Sequence, residues 1–170
     1  MTRAPASRYA VPVRLRQLKK ASAEAPPGGI LLASEGRPIP KTAVDRAAEL
    51  ARVSTAPVHV FAIARIYGVG LGLPAPGLRP NRKEWQDQRD SVDEAIRLLE
   101  KRGVRADGNI LGTRKATKRI LGEAKRLGCD AIVMGADRPR NRILADLMWS
   151  QEPYRVLRRA AVPVYLVVPE

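Results

Sequence analysis

Apolar residues in this chain alternate between strand-length runs and helical spacing. Residues 30–33 form a short apolar run, followed by Gly36, Pro38 and Pro40. Val44, Ala47, Ala48 and Ala51 then recur at helical spacing, with Leu50 beside them. Thr42 and Asp45 predict a capping pair for that helix, the hydroxyl for an orphan amide and the carboxylate for the positive end. Residues 58–66 are mostly apolar and rich in β-branched side chains, as a strand covered on both faces should be. After a Gly- and Pro-rich loop over 67–80, Trp85, Val92, Ala95, Ile96 and Leu99 mark one face of a second helix. Residues 104–111 predict a weaker strand with Thr113 as the next N-cap, and Ala116, Ile120, Ala124 and Leu127 trace a third helix. The segment DAIVMG at 130–135 is the clearest buried strand. Ile143, Leu144, Leu147 and Met148 make a short helical face. Val156, Leu157 and Ala160 belong to a last helix ended by Pro163, and 162–168 is the final strand. Five strands separated by helices predict an α/β fold, a doubly wound five-stranded parallel sheet with helices on both faces and right-handed crossovers.

Charge divides this picture in two. The 170 residues carry 31 Lys plus Arg against 17 Asp plus Glu, a formal net charge of +14, while the 45% hydrophobic content is that of a folded domain. Residues 1–27 hold Arg3, Arg8, Arg14, Arg16, Lys19 and Lys20 against Glu24 alone, and end in the breakers Pro26, Pro27, Gly28 and Gly29. We read 1–28 as a mobile basic arm and 29–170 as the domain. A solubilising tail, or a terminus that folds against a partner subunit, is the plainer account of the arm. One cysteine, Cys129, and one histidine, His59, exclude an internal disulfide and the ordinary zinc constellations. No apolar run reaches the roughly 18–20 residues of a membrane span, and no secretory pattern opens the chain, so a cytoplasmic location is expected.

Three segments carry a family resemblance over roughly residues 29–169. ILLASEG is similar to the first strand and turn of the universal stress proteins. The block ILGTRKATKRILGEAKRLGCDAIVMGA resembles their third strand, third helix and fourth strand, and YRVLRRAAVPVYLVV their last helix and strand. The resemblance implies a sheet of order 3-2-1-4-5 and a homodimer joined through the last strand, Val162 to Val168. It also implies adenine nucleotide, ATP above all, as the ligand class of those members that bind one. Their phosphate motif is a glycine, two residues, a glycine, nine residues, a third glycine, then Ser or Thr. Here Gly135 matches the first glycine, but Arg138 stands at the second, Met148 at the third and Trp149 at the hydroxyl. Aligned backwards from the last helix, the third glycine falls at Ser150 and the hydroxyl at Gln151. Glu35 stands where members usually carry Asp near the nucleotide. The resemblance thus assigns Glu35, Gly135 and Ser150 to a nucleotide site that has lost its glycine pair, since glycines let backbone amides approach phosphate.

Other motifs carry less chemistry. Lys41-Thr42 lacks the preceding glycine of a P-loop and has Pro40, which has no amide to offer phosphate. Gly68, Gly70 and Gly72 cannot open a dinucleotide-binding helix because Pro74, Pro76, Gly77 and Pro80 follow; that loop reads as a flexible cover whose Leu71, Leu73 and Leu78 fold over the sheet edge or a partner, or as a lid over the switch-point crevice. His59 reads as structural and Cys129 as a small buried residue. Glu84, Asp87, Asp90, Asp93 and Glu94 alternate with Arg82, Lys83, Arg89 and Arg97 as on a solvated helix face. Nothing argues for an enzyme. Arg114, Lys115, Lys118, Arg119, Lys125 and Arg126 lie largely opposite the third helix's apolar stripe, Arg138, Arg140 and Arg142 occupy the phosphate-loop region, and Arg155, Arg158 and Arg159 the last helix. Such a surface is either a solvated charged coat or a place for polyanions. Aromatic residues, at 4%, are too few for base-stacking platforms. The sequence thus predicts a non-catalytic binding or regulatory module with weak or lost nucleotide binding. An accessory nucleic-acid or polyanion binder using the arm and the basic surface is the alternative.

Overall fold

The computed structural model describes residues 28–65, 82–137 and 151–168. The arm, the loop at 67–80, the helical face at 143–148, and Arg138, Arg140, Arg142 and Ser150 lie outside the described residues. Within them run β1 (Ile30–Ser34), α1 (Lys41–Ser54), β2 (Val58–Arg65), α2 (Arg82–Lys101), β3 (Ala106–Thr113), α3 (Ala116–Leu127), β4 (Ala131–Gly135), α4 (Glu152–Arg159) and β5 (Val164–Val167). The strands form one parallel sheet, as the alternation of runs predicted, in the order β3-β2-β1-β4-β5 that the resemblance implied.

Strand alternation sorts the core into two layers. Ile30 and Leu32 of β1, Val58, Val60 and Ala62 of β2 and Val133 of β4 face α1 and α2. Leu31, Ala33, Phe61, Ile63, Ile132 and Met134 point the other way, onto Ala116, Ile120 and Ala124 of α3 and Val156 of α4. All five residues of β1 are buried, because it is the central strand with helices on both sides. Close approach relies on small residues. α1 presents Ala43, Ala47, Ala48 and Ala51 to the sheet, and α2 packs so near β3 that a Cβ on Gly108 would lie 2.5 Å from Val92 Cγ1.

Both capping expectations are corrected. α1 starts at Lys41 with Pro40 in the cap position and no side-chain cap; the rigid proline already sets an extended entry. Thr42 is inside the helix, and Asp45 instead accepts hydrogen bonds from Lys41 (3.1 Å) and Arg102. Thr113 is the last residue of β3, and Lys115 takes the cap position of α3. The exposed amide at that end is satisfied from another helix, by the Glu152 carboxylate, which accepts from the Thr117 N–H at 3.1 Å and from the Thr117 hydroxyl. Burial alone would raise the Glu152 carboxyl, but the bonds from Thr117 and the charge of Arg155 hold it below the ordinary glutamate range. Smaller shifts follow the same logic. The β3 ladder runs two residues further than its apolar run, Trp85 is only half-buried, and Leu157 is exposed while Val156 is buried.

Candidate functional site: the crevice between β1 and β4

A parallel sheet opens a crevice where neighbouring strands send their connections to opposite faces. Here that happens between β1, which leads into α1 on one face, and β4, whose next described helix, α4, lies on the other. At the carboxyl ends of these two strands lies a cavity of about 210 Å³. Its walls are the turn after β1, from Ala33 to Pro40, and Gly135, Ala136 and Asp137 after β4.

The turn is built by short hydrogen-bonding side chains. Ser34 Oγ accepts the Gly36 N–H at 3.2 Å and donates to the Arg37 carbonyl, so the chain doubles back immediately after β1. Gly36 has a φ of 114°, a region that side chains disfavour. The Arg65 side chain lies against it and donates to the Glu35 carbonyl, and Gln88 of α2 donates to the Gly36 carbonyl at 3.0 Å. Beneath the turn, Glu35 is 2% exposed.

The Glu35 carboxylate is taken by Arg37. The guanidinium donates through Nε to Glu35, through one terminal nitrogen to Asp137 at 2.5 Å, and through the other to the Gly135 carbonyl at 3.3 Å. One side chain therefore bridges the ends of β1 and β4 across the crevice. Such charge-assisted bonds are among the stronger polar contacts in proteins. Gly135 has its own steric role, since a Cβ there would stand 2.8 Å from Cγ of Pro40.

Of the residues that the resemblance assigned, Glu35 and Gly135 come together in this crevice, and Ser150 is outside the described residues. Arg37 and Asp137 were missed. Each stands two residues beyond an assigned position, Glu35 and Gly135, just past strands whose side-by-side pairing brings them together and which no local pattern announces. Arg114 and Lys118 do not line this cavity; they belong to the outer face of α3 and its approach.

The remaining singled-out side chains lie at the opposite end of the sheet. His59 is buried, with Nδ1 2.9 Å from Asp107 and Nε2 3.4 Å from the Gly28 carbonyl. Burial works against its charged form, yet the bonds to Asp107 and Gly28 and the nearby Glu123 outweigh this and raise the His59 pKa above the usual value. Cys129 is also buried there, and burial together with Asp130, Glu123 and Asp107 pushes its thiol up to about 12, so it is an unreactive packing residue. Among the described residues no three His, Cys, Asp or Glu side chains converge as metal donors, and no helix is long and apolar enough to cross a membrane.

A parallel domain with a crevice at its strand-order reversal is a doubly wound α/β protein, the kind that binds ligands at such a crevice. The profile of the universal stress protein family matches residues 29–168, and the chain belongs to that family. Solved structures agree on the fold. A universal stress protein from Archaeoglobus fulgidus in complex with dAMP is 19% identical over 81% of this chain and 95% of its own, with a TM-score of 0.60. A universal stress protein in complex with cAMP is 18% identical over 86% and 100%, at 0.59. UspA from Lactobacillus plantarum is 15% identical over 85% and 99%, at 0.63. A search of curated proteins finds no match.

Proposed function

We propose that this protein is a non-catalytic, cytoplasmic binding or regulatory module whose adenine-nucleotide site has been weakened by its own side chains. The observation that carries the proposal is Arg37, which spans the crevice between Glu35, Asp137 and Gly135. Any ligand entering between β1 and β4 must compete with that bridge and then face two carboxylates. The cavity of about 210 Å³ is also below the roughly 300–1,000 Å³ common for small-molecule sites. The sequence adds the second cause, arginine and methionine at motif positions that need glycine. The relatives solved with dAMP and cAMP make adenine nucleotides the ligand class to test.

The module pairs with a second copy through β5 in this reading. That strand ends the sheet beyond β4, and Val164, Tyr165, Leu166 and Val167 are all half-buried, so its free edge suits strand or side-chain pairing.

Calorimetric titration with ATP, AMP and cyclic AMP, with mass analysis of any copurified ligand, tests the first part. We expect ATP to bind no tighter than about 0.1 mM. Micromolar ATP affinity overturns the weakened site. Sedimentation of the intact chain as a monomer at 100 µM overturns the dimer, as a self-associating module at that concentration would be largely paired if its Kd were about 10 µM.

A further inference from the structure

The two helical layers of the domain differ in charge. On α1 and α2, eight basic side chains meet eight acidic ones. Many of these are tied to one another in the pairs Lys41–Asp45, Arg46–Glu49, Lys83–Asp87 and Arg97–Glu94. On α3, α4 and the two residues leading into α3, nine basic side chains meet only Glu123 and Glu152. Both of those carboxylates are already engaged, Glu123 by Arg126 at 2.7 Å and Glu152 by Arg155 at 2.9 Å and by Thr117. Arg114, Lys115, Lys118, Arg119, Lys125, Arg158 and Arg159 are exposed and pair with no carboxylate among the described residues.

The spacing makes a stripe of this charge. Lys115, Lys118, Arg119, Lys125 and Arg126 fall along one side of α3, opposite its buried Ala116, Ile120 and Ala124, with the turn between Arg119 and Lys125 carrying no cation. From Lys115 to Lys125 the stripe is about 15 Å long, a length over which duplex nucleic acid carries about nine phosphate charges. Midway between the pairs Lys118/Arg119 and Lys125/Arg126 stands Gly122, which is exposed, and a Cβ added there would meet nothing within 4 Å. Packing therefore does not require this glycine, although glycine in a helix interior costs about 1 kcal/mol against alanine. What its missing side chain provides is a bare stretch of helix between two pairs of cations, where a backbone of phosphates can come close.

We propose that the α3/α4 face docks the phosphate backbone of duplex nucleic acid, without reading its sequence. This goes beyond the nucleotide-crevice reading and does not depend on it, since the face and the crevice share no residue. Charge complementarity selects a polyanion, and the apolar inventory selects which one. Lipid surfaces hold helices by an inserted apolar face, but the apolar sides of α3 and α4 are spent on the sheet, leaving Leu157 as the one exposed large hydrophobe of these two helices. Protein interfaces centre on buried aromatic or aliphatic anchors, which the face also lacks. Single strands need stacking rings, and the aromatic side chain on these helices, Tyr154, has its hydroxyl on the Asp137 carbonyl at 3.0 Å. A duplex backbone asks only for cations and close approach.

The test uses the full chain and a 20-base-pair DNA duplex of arbitrary sequence, titrated between 50 and 200 mM salt. If about six cations each neutralise a phosphate, affinity falls roughly 10³-fold across that range. The Lys118→Gln/Arg119→Gln/Lys125→Gln variant lowers the logarithmic salt slope by about 3. Gly122→Glu, placing a negative charge and bulk between the two pairs of cations, weakens binding by about tenfold or more at 100 mM salt. Equal neutralisation of three cations on the other layer, Lys41, Arg46 and Lys101, leaves the slope within about 1 of the parent. Circular dichroism confirms folding of each variant, and Arg158→Gln/Arg159→Gln replaces any that fails. Three results overturn the proposal: an unchanged slope in the α3 variants, loss of binding only when the six arm cations become glutamine, or retention on phosphatidylserine vesicles with none on the duplex.

Discussion

The two ends of the sheet each bury a side chain that can carry charge, His59 at one and Glu35 at the other, but they hold it differently. At the amino end, His59 sits between a strand carboxylate, Asp107 of β3, and a backbone carbonyl, Gly28. The segment around it is laced by main-chain bonds: Gly28 N–H to Leu127, Asp130 N–H to Gly29 at 2.8 Å, and Gly29 N–H to the Asp130 carboxylate at 3.3 Å. At the carboxyl end, Glu35 is held by Arg37, a side chain 30% exposed on a turn, and Arg37 leans in turn on Asp137, 59% exposed. One buried group is held by a strand carboxylate, 31% exposed, together with a main-chain carbonyl just ahead of β1, the other by a long arginine side chain on a turn. A site that exchanges partners belongs at the second kind of end, in keeping with ligand binding at the carboxyl ends of parallel strands.

Paired glycine substitutions test this contrast most severely. Gly29 has a φ of 123°, and a Cβ there would stand 2.7 Å from the Pro57 carbonyl oxygen, which accepts the Ile30 N–H at 2.9 Å. Gly36 has a φ of 114°, but its obstacle is the Arg65 side chain, which can bend away. Gly29→Ala should destabilise by about 3 kcal/mol, combining backbone strain with a displaced ladder bond, whereas Gly36→Ala should cost about 1–2 kcal/mol. Urea denaturation measures both. Equal losses would mean that the carboxyl-end turn is as rigid as the amino end, and the contrast would be wrong.

His59→Leu probes the amino end through charge. It strands the Asp107 carboxylate and the Gly28 carbonyl, for an expected loss of about 2 kcal/mol. The pH dependence has a defined sign. Because the folded state raises the His59 pKa, its contribution is fully present below the unfolded value of 6.5 and fades as pH climbs through the folded value. The penalty for His59→Leu should therefore be larger at pH 6 than at pH 9. A penalty independent of pH would show that His59 contributes only by packing.

These two ends were unequally legible. The sheet and both core layers follow from apolar spacing, since a strand buried on two faces must be largely apolar, and the runs at 30–33, 60–64 and 131–134 are wholly so. Glu35 and Gly135 followed from a resemblance that fixes positions at strand ends. Arg37 and Asp137 did not, because what joins them is the side-by-side pairing of β1 and β4, a contact between residues 100 apart in the chain. The caps failed for a related reason. Thr42 and Thr113 suit caps by residue type, but a rigid Pro40 and a carboxylate from α4, 35 residues beyond Thr117, do that work. Long-range polar partners leave no periodic trace in a sequence.

The smallest effect comes from the crevice itself. Arg37→Ala removes the partner of a carboxylate that is 2% exposed, and a fully buried pair broken this way would cost about 3–5 kcal/mol. Arg37 borders solvent, however, so water can take its place beside Glu35, and the expected cost falls to about 1 kcal/mol. Glu35→Gln keeps the shape and removes the charge that needed Arg37, so the double variant Glu35→Gln/Arg37→Ala should be little worse than Glu35→Gln alone. A double-mutant cycle in urea should then return a coupling of about 1 kcal/mol between the two side chains. A coupling near 3 kcal/mol would make Arg37 a structural fixture like the partners of His59, and the crevice could no longer be described as held shut by an exchangeable side chain.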